Sequence, residues 1–97
     1  MATYIALSSF TDQGIRSAKD TTKRYDAVKE MGKKFGVSVK DIYWTIGTYD
    51  LVGIFDAPDD ASFTAFALTI GMGGNIRTQT LRGFSRDEMN GVLARLA

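Results

Sequence analysis

The chain has 97 residues, 44% of them hydrophobic and 24% charged, with 12 Lys and Arg against 11 Asp and Glu for a net charge of +1. A chain of this size and make-up is expected to form one domain around one core. It contains neither Cys nor His, which excludes disulfides, thiolate or imidazole metal sites, Cys or Ser–His nucleophile systems and the ordinary neutral-pH imidazole base.

Residues 3–10 (TYIALSSF) are rich in β-formers and read as a first strand, with turn and capping chemistry in Thr11-Asp12-Gln13-Gly14. The opening residues lack a basic region, and their apolar run is too short for a signal peptide or a membrane span. A cytoplasmic protein without membrane contact is the expectation. From about 15 to 35 the period becomes helical. Ala18, Tyr25 and Gly32, with Thr21, Val28 and Phe35, trace one stripe, and Arg16, Lys19, Lys23, Lys29, Lys33 and Lys34 lie opposite. Gly32 within the stripe predicts a close approach to the sheet, and Gly36 a helix stop.

Two β-rich runs follow, 37–48 and 50–57, joined as a hairpin through Gly47-Thr48-Tyr49-Asp50. Pro58 ends the second run, and Asp59 and Asp60 suit the start of a helix over 60–71. Gly71-Met72-Gly73-Gly74 stands after a helix and before a strand, the reverse of a phosphate loop, so it reads as a cap and turn. A fourth strand spans 75–84. Ser85-Arg86-Asp87-Glu88 then has the capping-box form, ahead of a short helix with Met89, Val92, Leu93 and Leu96 on one side. That helix offers a route to higher assembly.

The order β-α-β-β-α-β plus a terminal helix is the ferredoxin-like plan, an α+β fold in which helices cover one face of the sheet. The second strand (Ile42, Trp44 and Ile46 against Tyr43 and Thr45) and the third (Leu51 and Phe55 against Val52 and Ile54) are apolar on both faces. The bare face therefore requires a partner. A homodimer with its sheets face to face is expected.

Tyr43-Trp44-Thr45, Gly47-Thr48-Tyr49-Asp50, Asp56-Ala57-Pro58-Asp59-Asp60 and Gly74 to Leu81 together resemble the GYD domain family. That family is named for its Gly-x-Tyr-Asp pattern and belongs to the dimeric α/β-barrel group. The resemblance spans nearly the whole chain and implies the fold and its pairing. Wider relatives include cofactor-free monooxygenases and effector-binding domains, so it implies no particular reaction.

Several groupings are candidates for chemistry. Tyr49 and Asp50 could present a phenol and a carboxylate, but turn-making accounts for them more simply and is the reading preferred. Tyr43, Trp44 and Thr45, set against Arg77, Thr78 and Thr80, could line a pocket for a small organic ligand. Arg77 asks for an anion, either an Asp across the dimer or a ligand. If Trp44 is instead core, its loss should cost about 3–5 kcal/mol. Asp56, Asp59 and Asp60 lack cation-loop spacing, so no metal is expected, nor any cofactor. Residues 16–40 carry net +5 and the remainder −4, but without interleaved aromatics nucleic acid is disfavoured. The reading is a homo-oligomeric small-molecule-binding or assembly module. The alternative is a cofactor-independent enzyme with Asp50 or a tyrosine as base; a tyrosine would need its phenol pKa lowered by Arg.

Overall fold

A computed structural model describes all of residues 1–97. Strand β1 (Ala2–Phe10) leads into a short helix α1 (Asp12–Arg16), a 3-10 turn over 18–20 and helix α2 (Thr21–Lys33). Strands β2 (Ser38–Trp44) and β3 (Leu51–Ala57), helix α3 (Asp60–Met72), strand β4 (Ile76–Gly83) and helix α4 (Arg86–Leu93) follow. All pairings are antiparallel, in the order β2-β3-β1-β4. This is the expected ferredoxin-like arrangement.

The expected long helix over 15–35 is broken. Thr11 caps α1 through Gly14 N–H, and Arg24 of α2 donates from one nitrogen to Ser17 O at 2.8 Å and from the other to Gly14 O at 3.2 Å. Those carbonyls are taken by a side chain from further along, which holds α1 and α2 as separate pieces. The stripe of α2 nevertheless faces inward and its lysines outward. Gly32 is buried, but what approaches it is the chain entering β2, not the face of the sheet. A β-carbon there would lie 2.7 Å from Val37 O.

The core forms where α2 and α3 meet the sheet. Phe63 is its centre, with its ring stacked on Tyr4 at 4.6 Å and tilted against Phe55 and Phe66 at 5.4 and 5.7 Å. Aromatic pairs at these separations add to the burial of their area. Asp59 caps α3 by accepting Ser62 N–H at 2.8 Å, and Asp60 accepts the Tyr4 hydroxyl at 2.5 Å. Asp56 pairs with Lys40 at 3.7 Å, so each of the three acids has a partner within the fold.

The molecule measures 51 × 31 × 18 Å. Its thinness reflects one sheet and one helical layer, with the far side of the sheet uncovered. Helix α4 has the expected capping box, formed by Ser85 and Glu88. Met89, Val92, Leu93 and Leu96 are nonetheless exposed, so nothing in the chain covers its apolar side.

Candidate functional site

Strand alternation sorts the sheet into two faces. Tyr4, Ala6, Ser8, Leu51, Phe55 and Ala57 point into the helical layer and are buried. On the open face the register gives successive rows: Ser38–Asp56–Thr3–Gly83, Asp41–Ile54–Ile5–Leu81, Tyr43–Val52–Leu7–Gln79, and lastly Ser9–Arg77. The middle of this face is aliphatic. Its acids, Asp41 and Asp56, gather at the β2–β3 corner, and Arg77 stands at the diagonally opposite corner on β4. Asp56 has Lys40, whereas neither Asp41 nor Arg77 makes an ion pair in the chain.

The Gly-Thr-Tyr-Asp loop closes one end of that face. Strand β2 stops at Trp44 rather than reaching Thr48, because Thr45 turns back on the loop. Its N–H donates to Asp50 O at 2.8 Å and its hydroxyl to Tyr49 O at 2.6 Å. Ile46, expected on a strand face, is fully exposed at the tip. Gly47 sits at φ +117°, where a side chain would be strained. The Tyr49 hydroxyl reaches across the sheet to donate to Gln79 Oε1 at 2.7 Å. Asp50 anchors the loop to β1: its carboxylate accepts Phe10 N–H at 2.8 Å, and its own N–H donates to Ser8 O at 2.9 Å. Asp50→Ala would strand the Phe10 N–H and is expected to lower stability by about 1–3 kcal/mol. Urea titration measures this, and an unmoved midpoint would contradict the anchoring role.

The other sequence candidates are not brought together. Strands β2 and β4 are opposite edges of the sheet, so Tyr43, Trp44 and Thr45 are separated from Arg77, Thr78 and Thr80 by two whole strands. Tyr43 lies on the open face, donating its hydroxyl to Asp41 Oδ2 at 3.0 Å. Trp44 faces the helices, where its indole N–H donates to Thr21 Oγ1 at 3.0 Å and its ring meets Tyr25 edge-on at 5.9 Å. Arg77, Thr78 and Thr80 line a separate groove with Leu68 and Met72 at the β4 edge. The lone tryptophan is 41% exposed, so acrylamide should quench its fluorescence readily. A blue-shifted, unquenched emission would contradict that placement.

The tyrosine hydroxyls Tyr4, Tyr25 and Tyr43 are all shifted above the ordinary phenol range. Hydrogen bonds to Asp60 and Asp41 lead for Tyr4 and Tyr43, and burial leads for Tyr25. Such phenols hold their protons at neutral pH, the opposite of what a phenolate base requires.

A feature that sequence reasoning missed lies on the helical side. Where α2 and the C-terminal half of α3 diverge over the sheet, they leave a cleft of about 300 Å³ lined by Val28, Met31, Ile42, Leu51, Phe55 and Ile70, with Arg24 in its wall. One signal was available: Arg24 is the basic residue of α2 that does not belong with the outward lysines.

Comparisons with known proteins agree with this architecture. The sequence pattern of the GYD domain matches residues 4–93. The "Glutamine synthetase and cystathionine beta-lyase binding protein" of Thermus thermophilus is 34% identical over 82 residues, which is 84% of this chain and 86% of that protein. The crystal structure of TTHA0845, also from Thermus thermophilus, superposes with a TM-score of 0.55 at 22% identity, over 88% of this chain and 95% of that one. This last likeness concerns the fold alone. No helix here is long and apolar enough to cross a membrane.

Proposed function

The chain belongs to the GYD domain family, and from that premise we propose that it is a homodimeric adaptor that binds other proteins and performs no reaction of its own. The observation that carries this reading is the open sheet face, with its aliphatic centre and its acid and base at diagonal corners. A two-fold axis lying in the interface along the other diagonal sets Arg77 of each copy over the Asp41 corner of the other. It covers Ile5, Leu7, Val52 and Ile54 in the same step. A second copy is therefore the natural occupant of the face, and it satisfies two charges that the single chain leaves unpaired.

Such pairing leaves the helical layers outward. Along α2 and at its two ends the side chains of Lys19, Lys23, Lys29, Lys33 and Lys34 are exposed; Lys33 pairs with Glu30 at 3.0 Å and Lys29 lies over the Tyr25 ring at 5.8 Å. This face suits an acidic protein surface, and complementarity of that kind speeds and orients docking. The relative named for binding two enzymes supports a protein partner. Asp50 held by a backbone N–H favours binding over catalysis.

The test is titration of the purified protein with glutamine synthetase and cystathionine β-lyase from its own source, by calorimetry at low and moderate salt. Binding to either enzyme that weakens in the double variant Lys23→Glu/Lys29→Glu is the expected result. No binding to either at micromolar concentration, or binding indifferent to those charges, would overturn the reading.

A further inference from the structure

The cleft between α2 and α3 combines an apolar wall with a single fixed charge. Of its 15 lining residues the only ionisable side chain other than the Tyr25 phenol is Arg24. The Arg24 guanidinium is held in place by Ser17 O and Gly14 O, one on each terminal nitrogen, and lies over the Phe10 ring at 5.9 Å. No carboxylate in the chain pairs with it. A guanidinium has five N–H donors, and two backbone carbonyls leave the others free for an incoming anion. Val28 and Met31 further along α2, with Leu51 and Phe55 of the sheet and Ile70 of α3, offer an aliphatic and aromatic surface.

We propose that this cleft binds a small carboxylic acid with an apolar body, its carboxylate held by Arg24 and its body laid along α2 and the sheet. The volume, about 300 Å³, stands at the small end of ligand pockets, which fits a medium-chain or single-ring acid. An anion is selected because the cleft carries a cation and no counter-charge. A free acid is selected over a phosphate because most of the contact surface is apolar. The site lies on the helical side of the sheet, away from the open face, and does not depend on how the chain pairs.

The test uses the full chain with octanoate as probe and octanamide, its neutral counterpart, as control, followed by calorimetry and by methyl NMR shifts of Met31 and Ile70. Octanoate should bind at least about tenfold more tightly than octanamide. Arg24→Gln should remove that preference, bringing octanoate affinity down to that of octanamide. Because Arg24 also bridges α1 and α2, a second variant, Ile70→Phe, fills the cleft without touching the charge and should weaken both probes. The proposal is overturned by absence of octanoate binding up to about 5 mM, by equal affinity for the two probes, or by a folded Ile70→Phe protein that binds as well as the native one.

Discussion

Phe63→Ala is expected to remove about 3–5 kcal/mol of stability, a large share of the roughly 5–15 kcal/mol that holds a domain of this kind together. Phe63 is 2% exposed and is the residue through which α3 grips the sheet. Its ring contacts Tyr4 on β1, Phe55 on β3 and Phe66 one turn along its own helix. Truncation forfeits the transfer of an aromatic ring and leaves a void among stiff neighbours that cannot collapse to fill it. The Tyr4 hydroxyl bond to Asp60 would also lose the stacked ring that fixes its direction. Urea denaturation followed by circular dichroism measures the effect. A loss below about 1 kcal/mol would mean that the aromatic cluster is not the organising core.

Ile54→Glu is expected to dissociate the proposed dimer without unfolding the chain. Ile54 is on the open face, beside Ile5 and across from Asp41. In a single chain a carboxylate there remains in water and is easily tolerated. Between two sheets it would be desolvated and set against the acidic corner, where Arg77 of the other copy is already engaged by Asp41. The expected penalty is at least about 3 kcal/mol, roughly a hundredfold in dissociation constant. Sedimentation should then find single chains at concentrations where the native protein is expected to pair, with the far-ultraviolet spectrum unaltered. A variant that still pairs at native strength would move the interface elsewhere, and the uncovered stripe of Met89, Val92, Leu93 and Leu96 on α4 would be the next surface to probe.

Local chemistry is what a sequence declares most openly, and the elements whose limits are set locally were legible. The Ser85–Glu88 capping box, the Asp59 cap and the β-rich run 51–57 could each be read from a few adjacent residues. The break between α1 and α2 could not, because it is held by Arg24 reaching back to Gly14 O and Ser17 O. Strand β2 ended early for a similar reason: Thr45 has every β-forming quality, but its hydrogen bonds go to Tyr49 and Asp50. Asp50 read as structural from its place in the turn, but its partner, Phe10 N–H, is 40 residues away and could not be named from the sequence. Within one chain the proposed grouping of residues 43–45 with 77–80 fails on topology, since the ferredoxin-like plan makes β2 and β4 opposite edges. The cleft beside Arg24 was hidden because it is a gap, set by how far two helices diverge over side chains of particular size.

The mass of the native protein in solution tests the pairing of open faces most directly. Light scattering behind a sizing column, at micromolar concentration and moderate salt, should give twice the 10.6 kDa of the chain, or a higher even multiple if α4 adds contacts. Arg77→Glu should lower that mass, and Arg77→Glu combined with Asp41→Arg should restore it. A native mass of 10.6 kDa across that range would contradict the pairing on which the adaptor reading stands.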